Sequence, residues 1–154
     1  MVRIFQVESE DGLHHIRELF KEYIDWLGLD LSFQDFDKEY ADLPGEYSAP
    51  NGCLLLAMDG EDIAGCVGLR KIAERICEMK RLYVRPGFRR KGIGRSLSLG
   101  VIEKARGIGY ERMRLDTVPW MKEAIALYRS LGFKEIAPYR YNPMEGAKFL
   151  ELVL

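Results

Sequence analysis

The sequence predicts an α/β chain of the α+β kind, with a mixed, mainly antiparallel central sheet flanked by helices. Three observations carry this expectation. Helical periodicity alternates with strand patterns along residues 1–154, three strands follow one another with only turn residues between them, and two more close the chain with no helix between them. Strands joined by such short connections pair antiparallel, because a parallel return needs a crossover. With 47% hydrophobic residues in 154, the chain is expected to form one domain over 1–154 with an adequate core.

The elements are read in order. Arg3–Val7 is an edge-like strand. Ser9, followed by Glu10 and Asp11, is a helix-start signal ahead of Leu13, Ile16, Phe20, Tyr23 and Leu27 at helical spacing. A second short helix is expected between Ser32 and Leu43, with Phe33, Phe36 and Tyr40 on one side, stopped by Pro44-Gly45. Cys53–Met58 and Ile63–Leu69 flank Asp59-Gly60-Glu61-Asp62 as a hairpin, and Ile76–Val84 continues the meander until Pro86-Gly87. Ile93, Leu97, Val101 and Ala105 recur every fourth residue in a helix that ends at Gly107 and Gly109. Arg112–Thr117 is a strand. Pro119 opens a helix with Ala124, Leu127, Tyr128 and Leu131 inward and Gly132 as its stop. Phe133–Ile136 and Phe149–Leu154 form the last hairpin.

Composition excludes several function classes. Cys53, Cys66 and Cys77 are an odd number in apolar segments, so reduced core thiols of a cytoplasmic protein are expected rather than disulfides or a nucleophile. No apolar run approaches the roughly 18 residues of a membrane span, and Met1–Phe5 reads as a strand rather than a signal peptide. The net charge of −1 argues against general nucleic-acid binding. It conceals an asymmetry: residues 1–62 carry 15 acidic against 4 basic side chains, residues 63–154 carry 9 against 19. The basic half suits a ligand with several phosphates; the acidic half either attracts cationic amines or is a solvated face.

The basic half contains the strongest motif. Leu82-Tyr83-Val84 feeds Arg89-Arg90-Lys91-Gly92-Ile93-Gly94-Arg95, which opens a helix. Three cations and two glycines at a helix start put positive charge and bare backbone N–H groups at one spot, which favours a polyphosphate. A Walker loop is excluded because Lys91 precedes Gly92, and a dinucleotide fingerprint because Leu97 stands where a third glycine is required.

Arg89-x-x-Gly92-x-Gly94 resembles the acetyl-CoA loop of the GNAT acetyltransferase superfamily. Flanking pieces lie in that family's order: Glu78 to Pro86 as Glu-x-x-x-Leu-Tyr-Val-x-Pro, and Ala124 to Phe133 as Ala-Ile-x-Leu-Tyr-x-x-x-Gly-Phe. The resemblance covers roughly Ile63 to Phe133 and implies a GNAT-like acyl-CoA acyltransferase fold with acetyl-CoA as cosubstrate, no metal, and a homodimer. The amides of Arg89 to Gly94 would take the pyrophosphate, with the side chains of Arg89, Arg90, Lys91 and Arg95 adding charge. Leu82, Tyr83 and Val84 would lend backbone groups to the pantetheine arm. Many relatives have an asparagine where this chain has Met121.

The implied reaction is direct transfer of an acetyl group to a primary amine, with a small molecule favoured as acceptor over a protein or peptide. A non-catalytic acyl-CoA sensor is the other class of reading. Tyr128 holds the position of the family's tyrosine that protonates the departing thiolate; otherwise it is a core residue beside Leu131 and Phe133. Glu78 stands where histone-type members place a catalytic glutamate. Strand alternation puts Glu78, Lys80, Leu82 and Val84 on one face, so Glu78 is either a base near the cofactor strand or the partner of Lys80, Arg81 or Arg112 at a sheet rim. Asp116 and Thr117 either orient an acceptor or cap the next helix. His14 and His15 receive no role.

Overall fold

The structure is a computed structural model that describes residues 1–30 and 35–154. One seven-stranded sheet runs through it in the order β1-β2-β3-β4-β5-β7-β6. The strands are β1 (Val2–Gln6), β2 (Cys53–Asp59), β3 (Asp62–Ala73), β4 (Ile76–Val84), β5 (Arg112–Thr117), β6 (Lys134–Ile136) and β7 (Lys148–Val153). Four helices flank them: α1 (Glu10–Leu27), α2 (Phe36–Asp42), α3 (Ile93–Ile108) and α4 (Lys122–Ser130). Among the described residues only β4 and β5 pair parallel. The mixed, mainly antiparallel sheet is therefore the expected one. The expected start of the second helix, Ser32 and Phe33, lies outside the described residues, and α2 begins at Phe36.

Helix ends follow local chemistry. Ser9 accepts from the Gly12 N–H at 3.2 Å to cap α1. Gly109 closes α3 at φ 106°, in the left-handed region.

The central strands are apolar on both faces because both faces are covered. On one face Leu55, Val67, Met79, Met113 and Leu115 pack against Ile93, Leu97, Val101 and Ala105 of α3. On the other, Leu54, Leu56, Cys66 and Tyr83 pack against Leu13, Ile16, Leu19 and Phe20 of α1. The three cysteines are buried free thiols. Burial pushes the Cys53 thiol up to about 11 and the Cys77 thiol to about 12, so neither supplies a thiolate at neutral pH.

Part of the charge asymmetry is paired across the fold. Glu22 holds Arg85 at 2.6 Å, Glu39 holds Arg81 at 3.0 Å and Glu46 holds Arg70 at 2.6 Å. The acidic N-terminal segment docks on basic β3 and β4.

One irregularity shapes everything that follows. Gly68 pairs with Lys80 but Cys66 pairs with Tyr83, so Arg81 and Leu82 together oppose Val67, and Arg81 takes φ 60°. This bulge resets the alternation of β4. Leu82 and Val84 face α3, whereas Glu78 and Lys80, by alternation from Met79, face the α1 side with Tyr83. The expected single face for Glu78, Lys80, Leu82 and Val84 is thus corrected. A bulge also bends its strand, and the β4–β5 ladder extends only from Ile76–Arg112 to Glu78–Arg114.

Candidate active site

Where β4 and β5 part, a groove opens on the α3 side. It has a volume of about 690 Å³ and is walled by Leu82 to Val84, the Arg89–Arg95 turn and the start of α4. Gly92 is the N-cap of α3 at φ 77°, a conformation costly for a side chain, and supplies no side-chain cap. The first N–H groups of α3 therefore have no intrahelical partner and lie at residues that line the groove. A side chain on Gly94 would come 3.6 Å from Leu127 across the groove floor.

All the residues expected to bind the cosubstrate line this groove except Lys91. The Lys91 ammonium lies 3.3 Å from Asp59 and 5.6 Å from the Phe88 ring centre. Arg89 lines the groove but is also structural. Its Nε donates to the Val84 carbonyl at 3.0 Å and its guanidinium stacks 4.7 Å from the Trp26 ring. The Val84 carbonyl thus already accepts one bond. Arg95 reaches Ser130 at 3.2 Å, tying α3 to α4. Arg90, exposed and at φ 65°, stands at the groove. Sequence reasoning missed Trp26 and Trp120, which are 46% and 53% exposed and also line it. Exposed indoles beside a cationic turn are a signal visible only once α1 is known to reach it.

A smaller cavity of about 60 Å³ adjoins the groove, sharing Leu27, Leu82 and Met121 with it. Tyr128 lines this cavity, as do Tyr23, Lys80, Asp116, Thr117, Asn142 and Met144. Tyr128 is 7% exposed, with its ring 5.8 Å from that of Phe133. Burial, reinforced by Tyr23 and Asp116, holds its phenol far above the ordinary value of 10.0, so it stays protonated. Asp116 accepts from Asn142 Nδ2 at 3.0 Å, and Met144 N–H donates to Asn142 Oδ1 at 2.9 Å. These bonds fasten the β6–β7 connection over the cavity. Met121, not Asp116 or Thr117, is the N-cap of α4.

Glu78 sits elsewhere. It is 0% exposed and belongs to neither the groove nor the cavity lining. Its oxygens take Arg70 Nε at 2.9 Å, Arg140 at 2.5 Å and the Tyr139 hydroxyl at 2.6 Å. Burial alone would raise its pKa. Lys80, Arg140 and Arg70, with the Tyr139 bond, win and hold the carboxyl below its ordinary 4.5. Of the expected partners Lys80 acts on Glu78, and the hydrogen-bonded ones lie in a buried cluster joining β3, β4 and the β6–β7 connection rather than at a rim.

A helix start with unpartnered N–H groups thus lies in a groove that adjoins a cavity lined by a buried phenol. In comparison with known proteins, the acetyltransferase (GNAT) family model matches residues 13–133, and the chain belongs to that family. An uncharacterised N-acetyltransferase of Schizosaccharomyces pombe is 37% identical over 153 residues, covering 98% of this chain and 94% of that protein. One from Dictyostelium discoideum is 34% identical, covering 96% and 97%. Among solved structures, a Bacillus subtilis acetyltransferase in complex with CoA is 25% identical, with a TM-score of 0.71 over 100% of this chain and 99% of that one. An acetyltransferase from Streptococcus agalactiae shares the fold at a TM-score of 0.80 and 20% identity, over 99% and 98%. The chain is an acetyl-CoA-dependent acyltransferase. Among the described residues no helix is long and apolar enough to cross a membrane.

Proposed function

We propose that the protein transfers the acetyl group of acetyl-CoA to the primary amine of a small molecule. The continuity of groove and cavity carries this reading. The groove begins at a cationic turn with unpartnered helix N–H groups and adjoins a cavity of about 60 Å³, room for a small amine head but not for a folded chain segment. The acceptor side is walled by Tyr23 and Leu29 from the N-terminal segment and by Asn142 and Met144 from the β6–β7 connection. Those elements select the acceptor.

In this reading Gly92 to Arg95 receive the pyrophosphate, and the parted edge of β4 at Leu82 to Val84 receives the pantetheine arm. The amine attacks the thioester carbon directly. Tyr128 gives its proton to the leaving sulfur; a phenol near 10 and a thiol near 8.5 make this uphill by about 2 kcal/mol in water, and more where burial raises the phenol. Glu78 serves as a positioning residue: with both oxygens engaged, it holds Tyr139 and Arg140, and through them the wall bearing Asn142 and Met144.

Thiol release from acetyl-CoA, measured against amino acids, polyamines, aminoglycosides and lysine peptides with a no-acceptor control, tests the proposal. Release that depends on one small-amine class supports it. Release with lysine peptides alone assigns a protein acceptor, and saturable binding with no release assigns a sensor.

A further inference from the structure

Several titratable groups of the cavity are left unused by the reaction above, and Lys80 is the one whose burial favours its proton-accepting form. Lys80 is 5% exposed and shares the cavity lining with Tyr23, Asp116, Thr117 and Tyr128. Sequence alone gave it no role, because no motif marks it and the bulge at Arg81 hides its face. Burial disfavours the charged form of an ammonium, and a perturbed titratable group in a cleft is a candidate for function.

The groups around it come from every neighbouring element. Arg81 on β4 and Arg70 on β3 oppose its charge, while Glu78 and Asp116 favour it. α1 brings Tyr23 and α4 brings Tyr128, phenols that burial keeps protonated. Glu78 divides its oxygens among Arg70, Arg140 and Tyr139. Burial dominates the balance and pulls Lys80 down to about 7, against an ordinary 10.5. Much of it is therefore neutral at physiological pH, the form that accepts a proton.

We propose that Lys80 is the general base of acetyl transfer, its Nζ taking a proton from the acceptor's ammonium within the cavity. This rests on the acetyl-transfer reading of the same site. The protons balance as follows. The acceptor R–NH3⁺ gives one proton to Lys80, which later releases it to solvent. The free amine forms the new C–N bond, the C–S bond breaks with its electron pair on sulfur, and sulfur takes the Tyr128 proton. The second proton leaving nitrogen restores the Tyr128 phenol, so the products are the amide, the thiol and one proton in solution. A cavity of about 60 Å³ admits an aminomethyl head or a few waters, so the first transfer runs directly or through one ordered water.

Two variants of the full chain test this, Lys80→Met and Lys80→Arg, assayed with an amine that the wild type acetylates. Both are expected to bind acetyl-CoA within about threefold of wild type and to lose about 10²–10⁴-fold in kcat. The acidic limb of the wild-type kcat profile, expected near pH 7, should be missing from both. Arginine fails because a guanidinium does not deprotonate, so restored charge does not restore rate. A kcat within threefold of wild type in either variant overturns the proposal. So does a Lys80→Arg enzyme with normal kcat beside a Lys80→Met enzyme with a raised acceptor KM, which makes Lys80 a clamp for an anionic group. If the wild type releases no thiol with any amine, the acetyl-transfer reading itself falls and this base with it.

Discussion

Removing Glu78 takes a carboxylate partner from two guanidinium groups. In Glu78→Ala, Arg140 loses its partner at 2.5 Å and Arg70 its partner at 2.9 Å, with side chains only 20% and 16% exposed. The Tyr139 hydroxyl loses its acceptor as well. Breaking a buried pair costs about 3–5 kcal/mol. Arg70 keeps Glu46 at 2.6 Å, which places the loss at the lower end, about 3 kcal/mol. At roughly 2–4 °C per kcal/mol for a chain of this size, Tm falls by about 6–12 °C. Urea unfolding at pH 7 measures it, with an unchanged m-value confirming that the native state is what changed. The pH dependence has a fixed sign. Because the folded carboxyl titrates below its ordinary 4.5, the Glu78 contribution is complete above that pH and is lost as pH falls through the folded value. The gap between wild type and Glu78→Ala must therefore close in acid. A loss below about 1 kcal/mol, or a gap that widens in acid, refutes the network as described.

Three further outcomes follow from the same geometry. Gly92→Val forces a β-branched residue to φ 77° at the turn proposed to bind phosphates, so the acetyl-CoA Kd measured by calorimetry should rise at least about 30-fold and stability fall by about 1–2 kcal/mol. Lys80→Met should raise stability at pH 6 relative to its effect at pH 10; the wild type, whose folded pKa of about 7 lies below its unfolded 10.5, gains stability as pH rises between those values, as thermal melts of both proteins across that range would show. Asn142→Ala cuts the bond to Asp116 and should raise the acceptor KM about 3–10-fold with acetyl-CoA affinity unchanged, read from initial rates.

The groove was legible in the sequence because its chemistry is local. Cations, glycines and a helix start within Arg89–Arg95 need no tertiary knowledge to suggest a polyphosphate. Element order was legible for the same reason: periodicity, the Ser9 cap and the Gly109 stop are short-range signals. What the sequence hid is long-range or conformational. Tyr139 meets Glu78 across 61 residues, and no spacing rule links them. Arg81 adopts a positive φ without being glycine, so the bulge has no residue signature, yet it decides that Leu82 and Lys80 face opposite ways. Lys91 looked like its neighbours in a basic run, but only the hairpin partner Asp59 reveals where its charge goes. The charge asymmetry was visible while its use was not, because pairing Glu22, Glu39 and Glu46 with arginines requires α1 and α2 to dock on the sheet.

The central claim is that chemistry occurs where the groove meets the cavity at Tyr128. Tyr128→Phe removes one hydroxyl from a buried ring and leaves the groove intact. Paired measurement of acetyl-CoA Kd and of amine-dependent kcat tests the claim most directly. The Kd should stay within threefold of wild type while kcat falls by about 10²–10³. A kcat unchanged within threefold, with binding intact, contradicts it.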